Sequence, residues 1–133
     1  MSQENVQIAR RAFESFNRRD LAGAVAVFER DAEWVPYLAA LEGEIYRGRD
    51  VIERMWREVL RDLPDFHIEI VQVVADSPDT VVLEVEFRGM GKASGADVRT
   101  TVYQAASFRD GKVISVRGFR NAAEALEAVG LRE

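Results

Sequence analysis

Hydrophobic positions follow two periods, three to four residues in the first half of the chain and two residues in the second. Over residues 4–17, Ile8, Ala9, Ala12, Phe13 and Phe16 recur at helical steps and share one stripe. Asn17-Arg18-Arg19-Asp20 interrupts it, and Asp20 is placed to cap a second helix, at about 21–29, burying Leu21, Ala24, Val25 and Phe28. Glu33 to Tyr37 reads as a short strand, and Pro36, which lacks an N–H, puts an edge or an end there. Residues 38–47 carry no period and read as a loop or lid. Gly48 then precedes a third helix, at about 49–62, with Val51, Ile52, Met55, Trp56, Val59 and Leu60 as its apolar positions, and Leu63-Pro64-Asp65 stops it.

From Phe66 onward the period is two. Phe66 to Ala75 reads as a strand, Asp76 to Asp79 as a turn, and Thr80 to Met90 as a second strand with Val81, Leu83, Val85 and Phe87 on one face. Gly89 to Gly95 loosens the chain before a third strand, Asp97 to Arg109. Asp110-Gly111 is a hairpin signal, and Lys112 to Arg120 returns as the fourth strand. Asn121 is placed to cap a last helix closed by Gly130. Helices early and a meander of long strands late predict an α+β fold in which a curved antiparallel sheet wraps an apolar pocket.

A length of 133 residues fits one domain, 1–133. The absence of cysteine excludes disulfides, thiol nucleophiles and cysteine metal sites, and fits a reducing compartment. A net charge of −5 argues against a nucleic-acid partner, because phosphate binding needs concentrated positive surface. The first residues lack the basic start and apolar run of a signal peptide, and no apolar stretch approaches a bilayer span. The expected location is the cytoplasm, with no membrane partner.

Candidate chemistry follows from alternation on the last two strands. Val98, Thr100, Val102, Gln104, Ala106 and Phe108 share one face. If Gln104 points inward, Ile114, Val116, Gly118 and Arg120 join it from the neighbouring strand. Small Ala106 and Gly118 leave volume for a ligand, and Gln104 and Arg120 are the distinctive polar groups. No carboxylate on these strands accompanies them, whereas general acid–base chemistry needs a group that titrates near working pH. Gln104 has two readings, contact with a ligand or satisfaction of buried backbone groups. Arg120 likewise suits either a solvated ion pair or anion binding. Trp34, Met55, Trp56 and Phe87 serve as core or as pocket wall.

Tyr37 carries a phenol that can reach a pocket mouth, and Glu42 and Glu44 in the lid segment are the remaining candidates for a mobile acid or base. His67, the only histidine, opens a strand without a paired acid or nucleophile, which leaves no serine triad. One histidine and no clustered aspartates give no metal-ligand set, and Gly89-Met90-Gly91 joins two antiparallel strands rather than forming a phosphate loop, so no metal or cofactor is expected. On the opposite sheet face, Thr101, Tyr103, Ala105, Ser107, Val113, Ser115 and Phe119 carry little charge, which suggests a homodimer interface, with Arg117 placed to pair across its axis.

Asn17 to Asp20, Phe28, Asp31-Ala32-Glu33-Trp34, Tyr46-Arg47-Gly48, Phe108 to Ile114 and Glu124 to Leu131, in this order and spacing, carry a resemblance over nearly the whole chain. The chain resembles the nuclear transport factor two-like superfamily, in its SnoaL-like and ketosteroid-isomerase-like branch. That resemblance implies a cone of sheet closed by helices around a deep pocket, a cystatin-like roll, usually as a homodimer. It does not choose an activity, since isomerases, cyclases, hydrolases, dehydratases and non-catalytic binders share the fold. Aligned on the shared hairpin, the enolate-stabilising aspartic acid of ketosteroid isomerases falls on Gln104, their base near Pro36 and their tyrosine near Ala12. None is retained, and the histidine and bulky aromatic frequent in SnoaL-like relatives near Gln104 and Ala106 are also missing.

The expectation is a binder of a small apolar organic molecule, such as a carbonyl or polyketide-like compound. Any catalysis would be proton transfer (isomerisation, cyclisation or dehydration), with Gln104 polarising an oxygen and Tyr37 or a lid glutamate as partner. The alternative is a non-catalytic ligand-binding or dimerisation module with Gln104 tied to backbone. An epoxide hydrolase would need inward aspartate–arginine–aspartate chemistry that these strands lack.

Overall fold

The computed structural model describes residues 2–36, 44–90 and 97–131, which in chain order form α1 (Ser2–Asn17), α2 (Leu21–Val25), β1 (Phe28–Val35), β2 (Tyr46–Arg47), α3 (Arg49–Asp62), β3 (His67–Ser77), β4 (Thr80–Met90), β5 (Asp97–Arg109), β6 (Lys112–Phe119) and α4 (Ala122–Ala128). In α1 the helical stripe gains Val6, which is buried with Ala9, Ala12 and Phe16, while Ile8 and Phe13 are half-buried. Arg19 turns the chain in the left-handed region at φ 69°. Asp20 then accepts a hydrogen bond from the Gly23 N–H at 3.0 Å and starts α2.

Two elements differ from what local periodicity predicts. The second helix stops at Val25, and Phe28, which helical spacing assigned to it, opens β1 instead. Phe28 is paired with Val113 in parallel register, and the Val113 N–H donates to the Val27 carbonyl at 2.9 Å. A distant strand thus offers this segment a ladder, and tertiary pairing overrides the local period. Tyr46–Arg47, expected in a loop, is β2, paired antiparallel with Trp34 and Glu33. Across that pair Arg47 Nε and Nη2 donate to Glu33 Oε2 at 3.0 and 2.7 Å. Gly48 follows at φ 98°, a conformation that strains any residue with a Cβ, and leads into α3.

The six strands form one curved, unclosed sheet in the order β2-β1-β6-β5-β4-β3. The sheet is mixed rather than wholly antiparallel, because β1 runs parallel to β6. Register shifts interrupt β3 between Ile70 and Gln72 and between Val73 and Ala75, and each bends the strand and increases its twist. At the end of β5, Arg109 Nη2 donates to both carboxylate oxygens of Glu29 in β1 at 2.7 and 2.8 Å. That hydrogen bonding, ahead of the simple charge attraction, raises the guanidinium above its ordinary pKa.

Among the described residues the helices pack on both faces of the sheet. α1, α2 and α3 pack on the inner face, where Phe16, Ala24, Ile52 and Trp56 meet Val81, Leu83, Val85 and Ala106. α4 lies on the outer face and seats Ala125 and Leu126 on Val82 and Ala105, with Tyr103 and Phe119 at the margin. Asn121 caps α4 by accepting from the Glu124 N–H at 2.8 Å. The low-charge strip expected to meet a second copy is therefore partly covered by the chain's own helix. Arg117 stands over the Phe119 ring at 5.2 Å. Among the described residues no helix is long and apolar enough to cross a membrane.

Candidate functional site

Strand registers lay the inner face out in rows. Phe28, Val113 and Phe108 form the first row, and Trp34, Val116, Ala106 and Val81 the second. Gly118, Gln104 and Leu83 make the third, followed by Val102 with Val85 and then Thr100 with Phe87 and Ile68. Alternation on β6 predicted Ile114 in this lining. A one-residue bulge corrects it: Ser107 faces Ser115 while Phe108 faces Val113, so Ile114 is the extra residue and Val113 turns inward.

Between this floor and the helices lies a cavity of about 510 Å³, within the range of small-molecule sites. α1 supplies Ala9, Ala12, Phe13 and Phe16 to its wall, and α3 supplies Met55, Trp56 and Val59. One side is a continuous run of rings. Trp34 meets Trp56 at 5.8 Å and Phe28 at 5.9 Å between centroids, and Trp56 meets Phe16 edge-on at 5.6 Å. Phe16 continues to Phe66 at 6.1 Å, and Phe66 to Phe87 at 5.6 Å. These edge-on and tilted contacts hold the rings against one another, so they wall the cavity instead of filling it.

Polar groups on the lining are few. Thr100 sits at an exposed position, and Gln104 is buried, 5% exposed. Among the described residues the Gln104 carboxamide makes no side-chain hydrogen bond, and since no buried side-chain polar atom is left without a partner, its amide atoms are open to the cavity. It carries an acceptor oxygen and two N–H donors, all available to whatever enters the cavity. Among the described residues no side chain that titrates lines the cavity.

The other sequence candidates are distributed as follows. Trp34, Met55, Trp56, Phe87, Val102, Ala106, Val116 and Gly118 lie on the lining with Gln104. Arg120 does not. It stands past the end of β6, exposed, with Nε 2.8 Å from Glu124 Oε2, because the strand finishes at Phe119 and the side chain turns to α4. Glu44 is exposed, accepts from the Tyr46 hydroxyl at 3.3 Å and is not on the lining. Tyr37 and Glu42 lie outside the described residues. His67 opens β3 away from the cavity, its Nε2 3.9 Å from Glu69. Among the described residues no group of three histidine, cysteine or carboxylate side chains could hold a metal ion.

Sequence reasoning found Met55 and Trp56 of α3 but missed the α1 part of the wall, Ala9, Ala12, Phe13 and Phe16. The stripe on α1 was visible, but an apolar helix face looks the same whether it packs on a sheet or borders a void.

Comparison with known proteins gives the fold its relatives. A nuclear transport factor two-like protein of unknown function from Burkholderia pseudomallei aligns with a TM-score of 0.77 at 20% identity, over 93% of this chain and 95% of that one. A protein from Catenulispora acidiphila with a ketosteroid isomerase-like fold, solved in complex with trimethylamine, gives 0.74 at 16% identity, over 94% and 93%. A SnoaL-like polyketide cyclase, so named as a provisional assignment, from a Jannaschia species gives 0.75 at 18% identity, over 97% and 90%. At these identities the likeness is one of fold. No protein with a curated description matches at a significant level. The family model described as the SnoaL-like domain matches residues 9–116, and the chain belongs to that family.

Proposed function

We propose that this protein binds a small, neutral, largely apolar organic molecule in the cavity and holds its one oxygen function at Gln104. The observation that carries the reading is the Gln104 carboxamide, without a protein hydrogen bond among the described residues and open to the cavity, on a lining that is otherwise almost wholly aliphatic and aromatic. A carbonyl or hydroxyl oxygen of a ligand would satisfy that amide, while the ring wall would take up the ligand's apolar body. Binding is favoured over acid–base catalysis because no titratable side chain among the described residues reaches the cavity. Proton transfer on the bound molecule would need Tyr37 or Glu42 as partner. A cytoplasmic protein that pairs with a second copy completes the reading, using the strip of Thr101, Ser107 and Ser115 beside α4. Light scattering that returns a single-chain mass of 15.0 kDa at working concentration would remove the dimer from it.

The test is a thermal-shift screen of neutral carbonyl and phenolic compounds, followed by titration of the hits. A ligand at a hundred times its Kd should stabilise the native state by about 2.7 kcal/mol, a shift of several degrees. Gln104→Leu should weaken the hits about tenfold, as expected for losing one hydrogen bond in an apolar site. A screen without hits, or hits whose affinity is indifferent to Gln104→Leu, would refute the assignment.

A further inference from the structure

We propose that Gly118 admits the ligand to Gln104 and selects molecules whose oxygen is unhindered, such as a phenol or ring ketone with hydrogen at both flanking positions. The inference rests on the ligand-binding reading above. Glycine inside a strand weakens it and calls for a reason. Backbone conformation does not supply one, since Gly48, Gly111 and Gly130 have positive φ and Gly118 does not. At Gly89 in β4 the reason is a protein neighbour, for a Cβ there would lie 3.2 Å from the Phe66 Cα. Gly118 lines the cavity, directly across from Gln104.

The distances make the effect specific. Directly opposed residues in an antiparallel pair bring their Cβ atoms to about 4.5–5.5 Å, so any side chain at 118 stands beside the carboxamide. A ligand oxygen hydrogen-bonded to that carboxamide sits about 2.9 Å from it, which brings the atoms flanking the oxygen within reach of a side chain at position 118. Ala106, diagonal to Gly118 in the next row, widens the same recess, whereas Leu83, Val102 and Val116 around it are full-sized. The recess accepts a ring edge bearing hydrogens and excludes substituents beside the oxygen.

Calorimetric titration of 4-propylphenol and 2,6-dimethyl-4-propylphenol tests this, with melting temperatures recorded for every variant. The wild type should prefer the unflanked phenol by about tenfold or more, the scale of a misplaced methyl in a formed pocket. Gly118→Ala should weaken that phenol about threefold to tenfold, and Gly118→Val more than Gly118→Ala. In a Gln104→Leu background Gly118→Ala should have little further effect, because position 118 acts through access to residue 104. If Gly118→Val does not fold, the alanine variant and its double-mutant cycle decide alone. Wild-type affinity retained in Gly118→Ala, an equal loss in the Gln104→Leu background, or no preference between the phenols would overturn the role of Gly118. So would binding of other screened compounds but not of 4-propylphenol. A wild type that binds nothing in the screen would instead sink the ligand-binding reading itself.

Discussion

Ile68 lies on the edge strand β3, and its backbone takes its partners from one side chain. Asn17, at the end of α1, accepts from the Ile68 N–H at 3.0 Å and donates to its carbonyl at 2.8 Å. The carboxamide thereby stands in for one residue of a missing neighbouring strand, and it pins a residue that lines the cavity. Asn17→Ala should lower the urea midpoint, corresponding to about 1–2 kcal/mol of lost stability, because two backbone groups lose partners at a partly buried position. Asn17→Asp should recover part of the loss by keeping the acceptor. None of this was legible in the sequence, where Asn17 looks like a helix breaker and its partner is 51 residues away. Gln104 was legible, since a two-residue period fixes which face it occupies. Val113 was not, because a bulge changes the count of residues without marking the sequence.

Among the described elements, α4 alone packs on the outer side of the sheet. Its cap was readable from Asn121, and its apolar positions from spacing, but the face on which it docks was not. Helix periodicity specifies that Ala125 and Leu126 are buried and says nothing about against what. The docking is small and apolar, with Leu126 5% exposed over Val82 and Ala105. Leu126→Ala should therefore cost about 2–4 kcal/mol, measured by chemical denaturation. The same variant should raise binding of a hydrophobic dye, as α4 loosens and bares Val82, Ala105, Tyr103 and Phe119. Unchanged dye binding at the expected loss of stability would show that α4 stays docked without its leucine. The second helix gave the opposite lesson. Its apolar pattern runs past its end at Val25 because Phe28 satisfies a helical spacing and an inward strand position equally well.

For the whole molecule, an uncharged lining predicts how binding responds to pH. Affinity for a neutral ligand should stay flat within about twofold from pH 6 to 9, measured by titration with a non-ionising compound, because no titratable side chain of the described lining changes charge there. A sigmoidal profile would bring Tyr37, Glu42 or Glu44 back into the site. The α+β class, the late strands and the inward faces of β4 and β5 were legible because two-residue alternation survives over long strands. The parallel contact between β1 and β6 was not, as pairing between distant segments leaves no local pattern.

That parallel contact also governs the order in which the structure can form. Phe28 has its ladder partner at Val113, so the row that floors one end of the cavity joins segments 85 positions apart. Closing so long a loop is entropically costly before any contact rewards it, so this contact is expected to form late. During synthesis the amphipathic helices emerge well before the strand that completes the floor beneath them. Until β6 arrives, the ring wall of Phe16, Phe28, Trp34 and Trp56 has no complete sheet to rest on. Aggregation of the nascent chain, rather than loss of the finished fold, is then the expected failure of variants that weaken the β1–β6 junction.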